Sequence, residues 1–206
     1  MMNQILCLIF LISSFTVNSQ KKNILKSNTM EKIELTNENI RGLKENSSYI
    51  EKLNDSVIKY TLRGDYYFIQ QYSLDNPYKS NKVFYHNGNI RSESYKFYDV
   101  PIKKTKMYDE KGNIYKEIDE DKDPKRVFTI DQLIEKIKNE YKIDLLNPRN
   151  EDVQYNIQHF FSGKQYVYAF YISNTHSDTY RIIEISSIDG TTVSDKTVKK
   201  VFCDSK

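Results

Sequence analysis

Apolar and polar positions alternate with period two along most of this chain, and a helical period is clear only once. From Ser56, the residues Val57, Lys59 and Thr61 alternate against Ile58, Tyr60 and Leu62, as a half-buried strand requires. Arg63-Gly64-Asp65 makes a turn, and an aromatic run from Tyr66 to Tyr72 forms the next strand. A loop with Asn76-Pro77 at 74–80 leads to a strand at 82–86, the turn Asn87-Gly88 and a strand at 89–97. Asn-Gly between alternating runs predicts a hairpin, because both residues accept positive φ. After Val100-Pro101 come strands at 103–108 and 113–118, joined by Asp109-Glu110-Lys111-Gly112. The segment 56–118 therefore reads as an antiparallel meander. Residues 20–55 read as a polar lead-in with a short helix near 38–45.

The helical period appears after a charged stretch at 119–126, which reads as a linker between two units. Thr129 is an N-cap, and Gln132 completes a capping box. Phe128 and Leu133 are spaced as a hydrophobic staple. Ile130, Leu133, Ile134, Ile137 and Tyr141 form one apolar stripe, and a sheet must cover it. Strands follow at 153–161, 165–173 and 179–187, and the turn Asp189-Gly190 comes next. The whole is an α+β fold: a meander, then a helix packed on a small antiparallel sheet over 127–206.

The meander contains a repeat. Tyr85-His86-Asn87-Gly88-Asn89-Ile90 recurs as Tyr108-Asp109-Glu110-Lys111-Gly112-Asn113-Ile114, with the glycines 112 − 88 = 24 residues apart. The unit resembles the MORN-like repeats of bacterial proteins labelled antitoxin components, over 82–118. It departs from that pattern at Pro101 and Ile102, where a second glycine is usual. The resemblance implies an open single-layer meander and no catalytic residues. The helix, its strands and the Asp189-Gly190 turn resemble PepSY-type domains of secreted bacterial proteins over 129–198. That resemblance implies an extracytoplasmic inhibitory or binding module.

The first residues set the compartment. Ile5 to Ile12 is an uncharged apolar run of eight residues, followed by polar sequence and Val17-Asn18-Ser19. A bilayer span needs about 20 residues, so the run reads as the core of a signal peptide, 1–19, cleaved near Ser19 and Gln20. Its flank has no Lys or Arg. The expected location is periplasmic or secreted, with no integral span in the mature chain. Cleavage removes Cys7 and leaves Cys203 with no internal disulfide partner. Thirty-one basic and twenty-eight acidic residues, interspersed, give a net charge of +3. That is a soluble surface and no nucleic-acid footprint.

The candidate chemistry is sparse. Asp119, Asp121 and Asp123 have the spacing of a calcium loop, but Pro124 stands where the loop needs glycine and Ile130 where it needs glutamate. The histidines His86, His159 and His176 have no His or Cys at zinc-ligand spacing. Nucleophile elbows, His-Glu-x-x-His pairs and phosphate loops are absent from the sequence. Arg63-Gly64-Asp65 is explained as a turn, and Asp55-Ser56-Val57 is too short an acceptor signal to weigh. Glu117 with Asp119 is a carboxylate pair of the kind a glycan hydrolase uses. No metal or cofactor is expected.

The seventeen tyrosines carry the functional expectation. A single-layer sheet cannot bury both faces, and half-wet tyrosines suit a protein or glycan partner. The expected binding residues are Tyr66, Tyr67, Tyr85, Tyr95 and Tyr108. The expected function is a non-enzymatic binding or interaction protein of the bacterial envelope. The alternatives are an inhibitor or immunity-type protein against an exported toxin or peptidase, and a glycan hydrolase.

Overall fold

A computed structural model describes residues 40, 42–73, 75–148 and 152–200. The described residues are mainly β, in two antiparallel sheets, with one complete α-helix; the sequence predicts an α+β fold. The first sheet contains β1 (Ser48–Lys52), β2 (Ser56–Arg63), β3 (Tyr66–Ser73), β4 (Tyr78–Tyr85), β5 (Ile90–Phe97), β6 (Val100–Tyr108) and β7 (Ile114–Asp119). They lie in chain order, each paired with the next. Then come α1 (Ile130–Tyr141) and β8 (Val153–Phe161), β9 (Tyr166–Asn174), β10 (Thr179–Ser186) and β11 (Thr192–Lys199). The second sheet has the order β11-β10-β9-β8. Among the described residues no helix is long and apolar enough to cross a membrane. The apolar run at 5–12, the expected cleavage site and Cys203 lie outside the described residues, as does most of the helix expected near 38–45. Residues 43–46 are turn and irregular backbone.

The repeated motif builds one turn twice. Gly88 N–H donates to Tyr85 O and Tyr85 N–H to Asn89 O, both at 2.9 Å. Gly112 and Asp109 repeat this with Asp109 and Asn113, again at 2.9 Å. The glycines hold φ of 83° and 85°, a backbone that other residues adopt only under strain. The two turns are also tied together. The Asn89 amide donates to Glu110 O at 2.9 Å, and the Tyr85 hydroxyl to Tyr108 O at 2.8 Å.

Helix α1 starts as its sequence predicts. Thr129 Oγ1 accepts from Gln132 N–H at 3.3 Å, and Gln132 Oε1 accepts from Thr129 N–H at 2.8 Å. Leu133 and Ile137 are fully buried in a core shared with Ile157, Tyr168, Phe170, Ile183 and Ile185 of the second sheet. The same core takes Phe97, Val100 and Ile102 from the first sheet. Each fully buried side chain of this size is worth about 1.5–3 kcal/mol, against about 0–1 for a surface ion pair. The apolar core therefore holds the two sheets together. A smaller core joins Ile40 to Tyr67, Phe84 and Ile90 of the first sheet.

Three elements differ from the sequence reading. β1 falls within the expected polar lead-in, where Tyr49 stacks on its partner Tyr60 with ring centroids 5.9 Å apart. β4 begins at Tyr78, inside the expected loop, and β11 is a further strand of weak alternation, Thr192–Lys199. The charged stretch 119–126 is built into the fold. Its Arg126 side chain is 5% exposed and donates to the carbonyls of Pro101 on β6 and Glu120. Glu120 Oε2 lies 3.3 Å and Asp123 Oδ2 3.6 Å from the guanidinium.

Candidate functional site

Register assembles a cleft on one face of the first sheet. Gln71 pairs with Ser80, Ser80 with Tyr95, and Tyr95 with Ile102, a row across β3 to β6. Directly paired residues share a face, and alternate residues of a strand do too. The next row on that face therefore carries Ser73, Tyr78, Phe97 and Val100. Along β4, Ser80 stands between Phe84 of the smaller core and Tyr78, whose ring leans on Phe97 of the larger core at 5.2 Å. The Ser80 hydroxymethyl, next to Tyr78 along β4 and opposite Tyr95, is too short to fill the space beside the two rings. The result is a cavity of about 270 Å³ lined by Ser56, Gln71, Tyr78, Ser80, Tyr95 and Lys103, among others.

A bulge supplies the rim. Residues Glu93 to Tyr95 on β5 lie opposite Lys106 to Ile102 on β6, so β6 carries two extra residues. Lys103 takes up the distortion with φ of 59°, a left-handed conformation rare outside glycine. Its N–H donates to Asp121 Oδ1 at 2.9 Å, and its ammonium lies 5.1 Å from the Tyr95 ring centroid. Thr105 donates to Glu120 Oε1 at 3.0 Å. The acidic stretch thus serves the bulge. Asp119 pairs with Lys122 at 3.2 Å, and Asp123 accepts Lys125 N–H at 3.0 Å. Among the described residues no His, Cys, Asp and Glu cluster is arranged to hold a metal ion.

A second cavity of about 350 Å³ adjoins the first, sharing Tyr78, Ile102 and Lys103 and ending at Arg126, Asp131 and Tyr168. Burial, and secondarily the Asp131 charge, pushes the Tyr78 phenol up, so it stays protonated. Burial pushes Tyr168 to about 12, partly offset by the Arg126 charge, and its hydroxyl donates to Phe128 O at 2.8 Å. The polar groups of the two cavities are committed differently. Arg126, Glu120 and Asp121 bind other parts of the protein. Among the described residues, the side-chain polar atoms of Ser56, Gln71, Tyr78, Ser80 and Tyr95 engage no protein hydrogen-bond partner.

The five tyrosines expected to bind do not form one surface. Tyr66 and Tyr85 are cross-strand partners with rings 6.1 Å apart, and the Arg91 guanidinium carbon sits 4.0 Å from the Tyr66 centroid. They lie on the face opposite the cleft. Tyr67 is buried in the smaller core, and Tyr108 packs against that core and donates to Glu93 Oε1 at 3.0 Å. Tyr95 alone of the five reaches the cleft. Tyr78, Ser80, Gln71 and Lys103 are not among the five binding residues that the sequence predicts. Their signal is positional: it appears only when the strands are placed in register.

Other candidate chemistry is tied up. Glu117 is bound to Lys104 at 2.6 Å, and Asp119 to Lys122. His159 Nε2 lies 3.1 Å from Ser187 Oγ, which resembles a serine–histidine pair. The serine hydroxyl, however, donates to Lys125 O at 2.6 Å, so it must accept from the imidazole. A histidine donating to serine cannot act as its base. Ser187 is fully buried, and desolvation, followed by the Arg126 charge, holds His159 below its usual range. This pair is an internal joint between the 119–126 stretch and the second sheet.

The chain matches none of the family models, curated proteins or solved structures with which it was compared.

Proposed function

We propose that this protein is an exported, non-enzymatic binding protein of α+β class, acting in the periplasm or outside the cell, and that it binds through the cleft between Tyr78 and Tyr95. The apolar run from Ile5 to Ile12 supports export. One observation carries the binding reading: a concave site of about 270 Å³ whose hydroxyl, phenol and amide groups have no hydrogen-bond partner among the described residues, beside two aromatic rings. Convergent free polar groups on an apolar floor are the ordinary form of a recognition site. The non-enzymatic reading rests on the state of the reactive candidates. Glu117 and Asp119 each hold a lysine, and His159 donates where a base must accept.

Ser80→Trp tests the reading. An indole at position 80 fills the cleft and leaves the opposite face untouched. Wild type and this variant are dialysed against an extract of the cell envelope, and the retained compounds are identified by mass spectrometry. The reading requires a compound that wild type retains and the folded variant loses. Equal retention by both proteins contradicts it. If the compound is an exported toxin or peptidase, the binding protein is an inhibitor.

A further inference from the structure

We infer that the ligand of this cleft is a saccharide, held by the Tyr78 and Tyr95 rings and by hydrogen bonds to Gln71, Ser80 and Ser56. The inference rests on the binding reading above and narrows it to a ligand class. Three observations on the same face favour it.

The first is the spacing of the rings. Tyr78 pairs with Phe97, and Ser80 with Tyr95, so Tyr78 and Tyr95 are diagonal neighbours on one face. Diagonal positions stand about 7 Å apart, roughly twice a carbon–carbon contact distance. Neither ring is stacked on the other: Tyr78 leans on Phe97, and Tyr95 lies beneath the Lys103 ammonium. A sugar ring offers an apolar C–H face to an aromatic side chain and hydroxyls at its edge. The cleft offers aromatic walls and an edge of hydroxyl and amide groups.

The second is the charge of those groups. The uncommitted side chains are neutral and can both donate and accept, as a sugar hydroxyl does. Lys79 and Lys96 touch the cavity but are direct partners in the alternate row, so their side chains belong to the opposite face. The Lys103 ammonium lies over the Tyr95 ring. It equips the same site for a sugar bearing a carboxylate.

The third is the backbone. A bound peptide strand takes its affinity from a free sheet edge. β3, β4 and β5 are each paired on both sides, so the floor of the cleft has no free edge to offer. Recognition here falls to side chains, which suits a saccharide better than an extended peptide.

The full chain is titrated by calorimetry with chitotetraose, cellotetraose, tetragalacturonate and an octaglutamate peptide. At least one tetrasaccharide is expected to bind with Kd below about 1 mM, equivalent to about 4 kcal/mol. Gln71→Ala, on an exposed side chain that cannot threaten folding, weakens it at least tenfold, and Ser80→Trp abolishes it. Tyr66→Ala on the opposite face leaves it unchanged. Tighter binding of tetragalacturonate than of both neutral sugars, lost in Lys103→Gln, identifies an acidic saccharide. No binding of any tetrasaccharide at about 1 mM overturns the inference. Binding of the peptide alone, lost in Ser80→Trp, overturns the ligand class but keeps the cleft as a binding site. Retention of no compound from the envelope extract, with no binding here, overturns both readings.

Discussion

The Asp121 carboxylate accepts the backbone N–H of Lys103 at 2.9 Å, and Lys103 holds φ of 59° at that contact. A left-handed backbone costs a non-glycine residue about 1–2 kcal/mol, and glycine loses about 0.5–1 kcal/mol in unfolded-state entropy. Lys103→Gly is therefore expected to stabilise the protein by about 0.5–1 kcal/mol. Asp121→Ala removes the hydrogen bond that holds the bulge and should cost about 1 kcal/mol. Urea denaturation of the two variants checks this. A destabilised Lys103→Gly shows that the bulge is held by the lysine side chain instead.

Arg126 joins β6 to the 119–126 stretch by donating to two carbonyls from a side chain 5% exposed. Removing one partner of such a buried set costs about 3–5 kcal/mol. Arg126→Met should lower stability by about 3 kcal/mol. Arg126→Lys should lower it nearly as much, because a single ammonium cannot reproduce the planar fork. A lysine variant within about 0.5 kcal/mol of wild type, in the same denaturation experiment, means that charge and not geometry matters there.

The glycines of two hairpins separate strain from packing. Gly163 and Gly190 hold φ of 90° and 75°. A Cβ on Gly163 meets nothing within 4 Å, whereas one on Gly190 collides with the Phe128 ring. Gly163→Ala is expected to cost about 0.5–1 kcal/mol, the left-handed backbone penalty less the entropy that alanine removes from the unfolded chain. Gly190→Ala adds displacement of Phe128, and overpacking costs a further 1–3 kcal/mol or so. In a chain of this size each kcal/mol lowers Tm by about 2–4 °C. Equal Tm losses for the two variants mean that Phe128 moves aside without cost.

Desolvation, with the Arg126 charge, lowers the His159 pKa from its ordinary 6.5. Below that value the unfolded chain binds a proton that the folded chain resists, so stability falls as pH drops. The loss begins near pH 6.5 and runs down to the lowered folded-state value. His159→Gln keeps a donor for Ser187 and has no charge to gain. Its stability is expected to vary less than wild type between pH 7 and the acid end of that window. Parallel pH profiles of the two proteins place the titration elsewhere.

Local signals were legible in the sequence where a few neighbouring residues decide the structure. Thr129 and Gln132 make their two reciprocal bonds, and the Asn87-Gly88 and Lys111-Gly112 turns close as written. The cleft was not legible, because it depends on which residues lie opposite one another. Gln71, Ser80 and Tyr95 are far apart in sequence and meet only through two hairpin registers. Lys103 needs the β6 bulge as well, which no local pattern announces. The division of the tyrosines was partly available. Tyr66 and Tyr67 are consecutive in one strand, and consecutive strand residues must take opposite faces. β1 carries no strong local pattern, because its five residues are exposed or half-buried and Tyr49 stacks on Tyr60 of the next strand.

The central claim is that the cleft between Tyr78 and Tyr95 is where the protein meets its ligand. The most direct measurement is a ¹H–¹⁵N correlation spectrum of the labelled full chain, recorded as the compound retained from the envelope extract is added. The account predicts that shifts concentrate at Gln71, Tyr78, Ser80, Tyr95 and Lys103, while Tyr66, Tyr85 and Arg91 on the opposite face stay fixed. Shifts confined to Tyr66, Tyr85 and Arg91, with the cleft unmoved, contradict it.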